Sequence, residues 1–112
     1  MEIINIEQGR PRVDQAMVKL QNGIYKARAT GKPFAKIIHG YGSSGTGGAI
    51  KEALPRALRD YQIRRVIVSY CPGEDFGPFS QAAREMSARH PEISRDSDWG
   101  MHNDGITVIM FK

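Results

Sequence analysis

The residues best equipped for chemistry fall in one stretch, Lys36-Ile37-Ile38-His39-Gly40-Tyr41-Gly42-Ser43-Ser44-Gly45-Thr46-Gly47-Gly48-Ala49-Ile50-Lys51. An apolar run stops at a histidine, glycine then recurs at 40, 42, 45, 47 and 48, and apolar residues return at helical spacing. This reads as strand, loop and helix. Glycines at such a junction accept positive φ and leave main-chain N–H groups open to close approach, while the following helix adds unpaired first-turn N–H groups and the positive end of its dipole. The natural guest is an anion, above all a phosphate. His39 places a titratable group where the strand ends, facing whatever the loop holds. The plain alternative is a flexible connector.

Two nucleotide motifs are tested by the same residues. Gly40-Tyr41-Gly42-Ser43-Ser44-Gly45 satisfies the dinucleotide pattern G-x-G-x-x-G, but the following strand, near Val66 to Tyr70, ends without an acidic residue to hold a ribose. The Walker-type phosphate loop fails, because the glycines lead to Ala49 and Ile50 where Lys and Ser or Thr are required.

The elements that must position His39 follow from periodicity. Glu2 to Ile6 is isoleucine-rich and suits a strand. Val13, Ala16, Met17, Leu20, Ile24 and Ala27 make one stripe on a helix from Pro11 to Thr30, ended by Gly31 and Pro33. Phe34 to His39 is the second strand. Ile50, Ala53, Leu54, Ala57, Leu58 and Tyr61 line the inner face of the next helix, with Pro55 on its outer face beside Lys51, Arg56 and Arg59. Arg64 to Tyr70 reads as a third strand parallel to the second, which brings His39 and Tyr70 to the same edge. A turn from Cys71 to Gly77 leads to a third helix from Pro78 to His90, with Phe79, Ala82, Ala83 and Met86 on its apolar side. Asn103-Asp104-Gly105 turns into a last strand, Ile106 to Phe111.

Ile37-Ile38-His39-Gly40-Tyr41-Gly42, with the glycine-rich turn and helix, resembles the His-Gly-x-Gly motif of Smr (small MutS-related) domains. The resemblance spans most of the chain and implies an α/β fold, a two-layer sandwich on a mixed sheet of about four strands with two to three helices, in which the last strand runs antiparallel to the third. It departs at the first strand, where the family's Leu-Asp-x-His-Gly corresponds to Ile4-Asn5-Ile6-Glu7-Gln8-Gly9, so that Asn5 replaces an aspartate and Glu7 a histidine. A second departure is the added segment from Cys71 to Asn103. The resemblance implies binding of DNA or RNA with weak endonuclease activity. His39 is then the general acid or base, Glu7 is a base or metal ligand, and a divalent metal is allowed as cofactor.

Phosphate contacts are expected at Gly40, Tyr41, Gly42, Ser43, Ser44, Gly45, Thr46, Gly47, Lys51 and Arg56, with Tyr41 able to stack on a base. Asp75 and His102 are further candidates on the same rim, although polar loop ends are ordinary. Glu7, His39, Asp75 and His102 are chemically suited to zinc or manganese, yet their spacing matches no zinc motif. Cys71 activated by His39 across neighbouring parallel strands would make a nucleophile; against it, a lone cysteine is commonly a small buried hydrophobe, and Pro72 lacks an N–H for an oxyanion.

The bulk properties set limits. The 112 residues suffice for one domain, taken as residues 1–112. Hydrophobic content of 40% and charged content of 25% suit a folded globular chain. A net charge of +4 permits a polyanionic partner without requiring one. No apolar run is long enough for a membrane span, and the single cysteine fits a reducing compartment, so a cytoplasmic location is expected. The competing functions are a small-molecule anion or nucleotide binder and a non-catalytic interaction module.

Overall fold

A computed structural model describes residues 1–41 and 46–112, the side chains of residues 46 and 47 excepted. The elements run β1 (Glu2–Asn5), α1 (Val13–Ala29), β2 (Phe34–Ile38), α2 (Thr46–Ile63), β3 (Ser69–Pro72), α3 (Gln81–Arg89) and β4 (Ile106–Met110), with 3-10 turns at Gly73–Asp75 and Pro91–Arg95. The four strands form one mixed sheet in the order β1-β2-β4-β3. β1 is parallel to β2, and β4 runs antiparallel to both β2 and β3. The α/β class, the mixed four-stranded sheet and the three helices agree with the sequence expectation. No helix among the described residues is long and apolar enough to cross a membrane.

Strand side chains alternate between faces, so the register assigns each residue to a side. Ile4, Ala35, Ile37 and Ile109 face α1 and α2, where they meet Ala16, Leu20 and Ile24 of one helix and Ile50, Leu54 and Leu58 of the other. Each of the buried isoleucine and leucine side chains contributes about 1.5–3 kcal/mol by leaving water. Close packing here depends on Gly23 of α1, since a Cβ at that position would lie 2.4 Å from Cγ2 of Ile4.

The opposite face is also covered. Phe34, Cys71, Val108 and Met110 project there and are capped by Phe76, Ala83, Met86, Ile93 and Trp99. All five capping residues belong to the segment that follows β3. Phe76 and Trp99 meet edge to face, with centroids 5.1 Å apart. The added segment thus supplies a layer of its own on the second face.

Lys36 also projects toward this face. It is 7% exposed, and its Nζ reaches Asp96 at 2.7 Å and Asp98 at 2.6 Å. Burial alone would depress the ammonium pKa, but the two carboxylates outweigh it and the net shift is upward. Asp98, hydrogen-bonded to Lys36, has its pKa lowered. Its second oxygen accepts from the Asn103 side chain at 2.9 Å.

Three expectations need correction. The third strand does not begin at Arg64, because the chain is still closing α2 there. Arg65, at φ 62°, donates to Gln62 O, and Val66 donates to Tyr61 O, a Schellman-type cap built without glycine. Val66 and Ile67 are buried as that cap's hydrophobic contact, and β3 starts at Ser69. Second, β2 and β3 run the same way but are not neighbours; β4 lies between them. Third, Phe79 is not on the apolar side of α3. Ser80 caps that helix by accepting from Ala83 N at 3.1 Å, which leaves Phe79 outside it and 93% exposed.

Candidate functional site

β2 continues past Ile38 into His39, whose N–H and that of Gly40 both donate to Gly105 O, at 3.1 and 3.0 Å. Strand alternation turns the imidazole toward the side of α2. The ring is 3% exposed and both nitrogens are engaged: Nδ1 lies 2.9 Å from Gly40 O and Nε2 3.0 Å from Thr107 Oγ1. A carbonyl can only accept, so Nδ1 carries the proton. Burial depresses the His39 pKa; the carbonyls of Gly40 and Ile106 oppose this, nearby Lys51 adds to it, and Glu7 works against it. The ring is therefore neutral at pH 7, and the Thr107 hydroxyl donates to Nε2.

His39 and Thr107 line a cavity of about 70 Å³ between α2 and the sheet, together with Lys51, Leu54, Tyr70 and Asp104. That volume holds about two water molecules. It admits a phosphate oxygen or a water beside the imidazole while a nucleotide stays outside. Lys51 Nζ stands 3.4 Å from Asp104 Oδ2, with both side chains partly exposed, a pairing worth under about 1 kcal/mol and easily exchanged for a phosphate.

Glu7 reaches the site from the other direction. Asn5 Oδ1 accepts from Glu7 N at 3.0 Å and Gln8 N at 2.9 Å, which folds the chain back after β1. The Glu7 carboxylate then lies against Gly40, where φ is +75° and an added Cβ would sit 2.0 Å from Oε2. Glu7 borders a cavity on the second face with Ile3, Lys36 and Tyr41 rather than the one that holds His39. The two candidate catalytic groups thus meet across Gly40, each opening on a different side of the sheet edge.

The remaining candidates divide. Lys51 joins His39, and Arg56 is exposed further along α2. Tyr41 is 64% exposed, with its ring edge close to Gly105. Asp75 and His102 do not join His39; they line a separate cavity next to Phe79. Gly42, Ser43, Ser44 and Gly45 lie outside the described residues, as do the side chains of Thr46 and Gly47.

Two chemical alternatives are overturned. Among the described residues no three His, Cys, Asp or Glu side chains converge as metal ligands, and Asp75 with His102 stands apart from Glu7 and His39, so the four-residue metal set does not form. Cys71 is fully buried on the second face with its thiol pKa raised by burial, so His39 on the first face cannot activate it. Thr107 was missed in the sequence; its signal is a lone hydroxyl in the apolar strand Ile106–Met110.

The fold and this edge define an α/β domain with a histidine and a lysine gathered beside the start of a glycine-led helix. A model of the Smr domain family matches residues 9–77, more than half of the chain. The chain belongs to the Smr domain family, and with it to a group whose character is nucleic-acid binding of endonuclease type. No curated protein and no solved structure matches it. The match takes in α1, β2, α2 and β3 but begins after Glu7 and ends before α3 and β4.

Proposed function

We propose that this chain binds DNA or RNA through backbone phosphates at the edge formed by the end of β2, the start of α2 and the turn before β4. The observation that carries this is the cavity where neutral His39 and Lys51 stand together, within reach of a phosphate oxygen but not of a whole nucleotide. Exposed Arg56 and Arg59 on α2 extend positive charge away from it along the helix. A pocket for a free nucleotide would need more volume beside His39 than the cavity of about 70 Å³ offers, which disfavours that alternative. A cytoplasmic location belongs to the same reading and rests on the unpaired thiol of Cys71.

Replacing Lys51 and Arg56 together by glutamine tests the reading. Binding should weaken across sequences, and the slope of log K against log salt should fall by about one for each phosphate that the variant no longer neutralises. An unchanged slope and affinity would move the phosphate track off α2.

Phosphodiester cleavage is a second reading, favoured by the protonation state of His39. A neutral imidazole whose acceptor nitrogen is held by Thr107, itself part of the cavity lining, is a competent general base once a water or substrate hydroxyl displaces Thr107 from Nε2. Glu7 opens elsewhere, so its part would be electrostatic, acting on His39 across Gly40. Cleavage of labelled substrates should then disappear in His39→Ala and persist at reduced rate in Glu7→Gln. Equal activity of parent and His39→Ala would remove the chemistry from this site.

A further inference from the structure

We propose that the cavity beside Phe79 receives an unpaired base of the bound nucleic acid, stacked on the Phe79 ring and selected by Glu74 and Asp75 for an exocyclic amino group. The inference rests on the nucleic-acid reading and adds to it a base-specific subsite. Phe79 is 93% exposed, far more than a large apolar ring normally is in a folded domain. It borders a cavity of about 300 Å³, lined also by Glu74, Asp75, Gly100 and His102.

The walls are fixed from several directions. Gly100 N donates to Phe76 O at 2.8 Å, His102 Nδ1 lies 3.1 Å from Glu74 O, and Phe76 N donates to Gly73 O at 3.2 Å. Gly77 and Gly100 touch so closely that a Cβ on Gly77 would lie 3.2 Å from Gly100 Cα. The site is also continuous with the phosphate-facing edge, because Glu74 lines both this cavity and the one that holds His39. Phe79, Gly100 and His102 all lie beyond residue 77, where the family match ends.

The chemistry of the lining selects the occupant. Glu74 and Asp75 line this cavity with no lysine or arginine beside them among the described residues, whereas in the cavity that holds His39 the carboxylates of Glu74 and Asp104 are offset by Lys51. The phosphates therefore stay on the α2 side, and what enters here must be an uncharged group rich in donors. A base satisfies both demands, with a π-face for the phenyl ring and an edge for the carboxylates. Cytosine, adenine and guanine carry amino donors. Uracil and thymine have no amino group, and their one N3–H donor lies between two carbonyl oxygens that the carboxylates would repel.

The test measures binding of 12-nucleotide oligocytidine and of oligothymidine or oligouridine, in DNA and RNA form, to the whole chain. Phe79→Ala should weaken oligocytidine binding roughly 5- to 100-fold while the salt slope and the melting temperature stay unchanged, and Phe79→Trp should restore it. Glu74→Gln with Asp75→Asn should abolish the preference for cytidine over thymidine or uridine. If the Lys51 and Arg56 variant loses binding but Phe79→Ala stays within twofold of the parent, the subsite is refuted while the nucleic-acid reading stands, and the ring is left to a protein partner. Equal binding of cytidine and thymidine oligomers by the parent would refute the selection by Glu74 and Asp75.

Discussion

The two faces of the sheet are held by different physics. On the α1/α2 face, aliphatic side chains from two amphipathic helices meet those of the strands, and the family match covers both helices and β2 between them. On the second face, a segment with only nine residues of α-helix is held by aromatics, by Met86 and by the buried ion cluster of Lys36 with Asp96 and Asp98. The first face gains most of its stability from area removed from water, which is forgiving of detail. The second depends on particular partners. A charge buried beside the sheet costs several kcal/mol unless it is fully paired, so that face fixes the 96–103 segment in one arrangement or loses it.

This contrast can be broken on its weaker side first. Lys36→Met leaves two carboxylates without their counter-charge and should cost roughly 3–5 kcal/mol, measured by urea unfolding. Adding Asp96→Asn and Asp98→Asn should recover much of that loss; no recovery would show that Lys36 acts through its packed stem instead. On the other face, Gly23→Val drives a β-branched side chain into Ile4 and should cost about 1–3 kcal/mol. A neutral outcome would mean that α1 shifts freely over β1.

Acid separates the faces more gently. The folded-state pKa of His39 lies below its ordinary 6.5, so the unfolded chain binds the proton more readily. The stability tied to neutral His39 is complete above pH 6.5 and is lost as pH falls through the depressed folded value. Asp98 is also depressed, from 3.8, and its contribution is lost only in stronger acid. The urea midpoint should therefore drop as pH falls below 6.5 in the parent and less so in His39→Gln. A parallel drop in both would assign the loss to other groups.

The same contrast explains what could be read from the sequence. α1 and α2 announced themselves because their partners lie on one face at helical spacing, β2 and β4 because burial on both faces makes them near-continuous apolar runs, and His39 because it ends such a run at a glycine cluster. β3 was displaced because Arg65 takes the left-handed cap conformation usually left to glycine, so Val66 and Ile67 looked like strand. Lys36, Asp96 and Asp98 escaped notice because a pairing across 60 residues leaves no periodic trace; the only sign was a charge inside an apolar strand. Thr107 escaped for the same reason. Phe79 was misplaced because Ser80, not Pro78, begins the helix. The separation of Glu7 from His39 by Gly40 depends on which way each side chain leaves the sheet edge, and residue types alone do not carry that.

That nucleic acid meets the edge beside His39 and Lys51 is tested most directly by following backbone amide resonances as a single strand of about 12 nucleotides is added to the whole chain. Shifts should concentrate at residues 39–41, 46–56 and 104–107 and fade as salt is raised. Shifts confined to residues 84–95 along α3 and the 3-10 turn after it, or none at all at millimolar oligonucleotide, would contradict the placement.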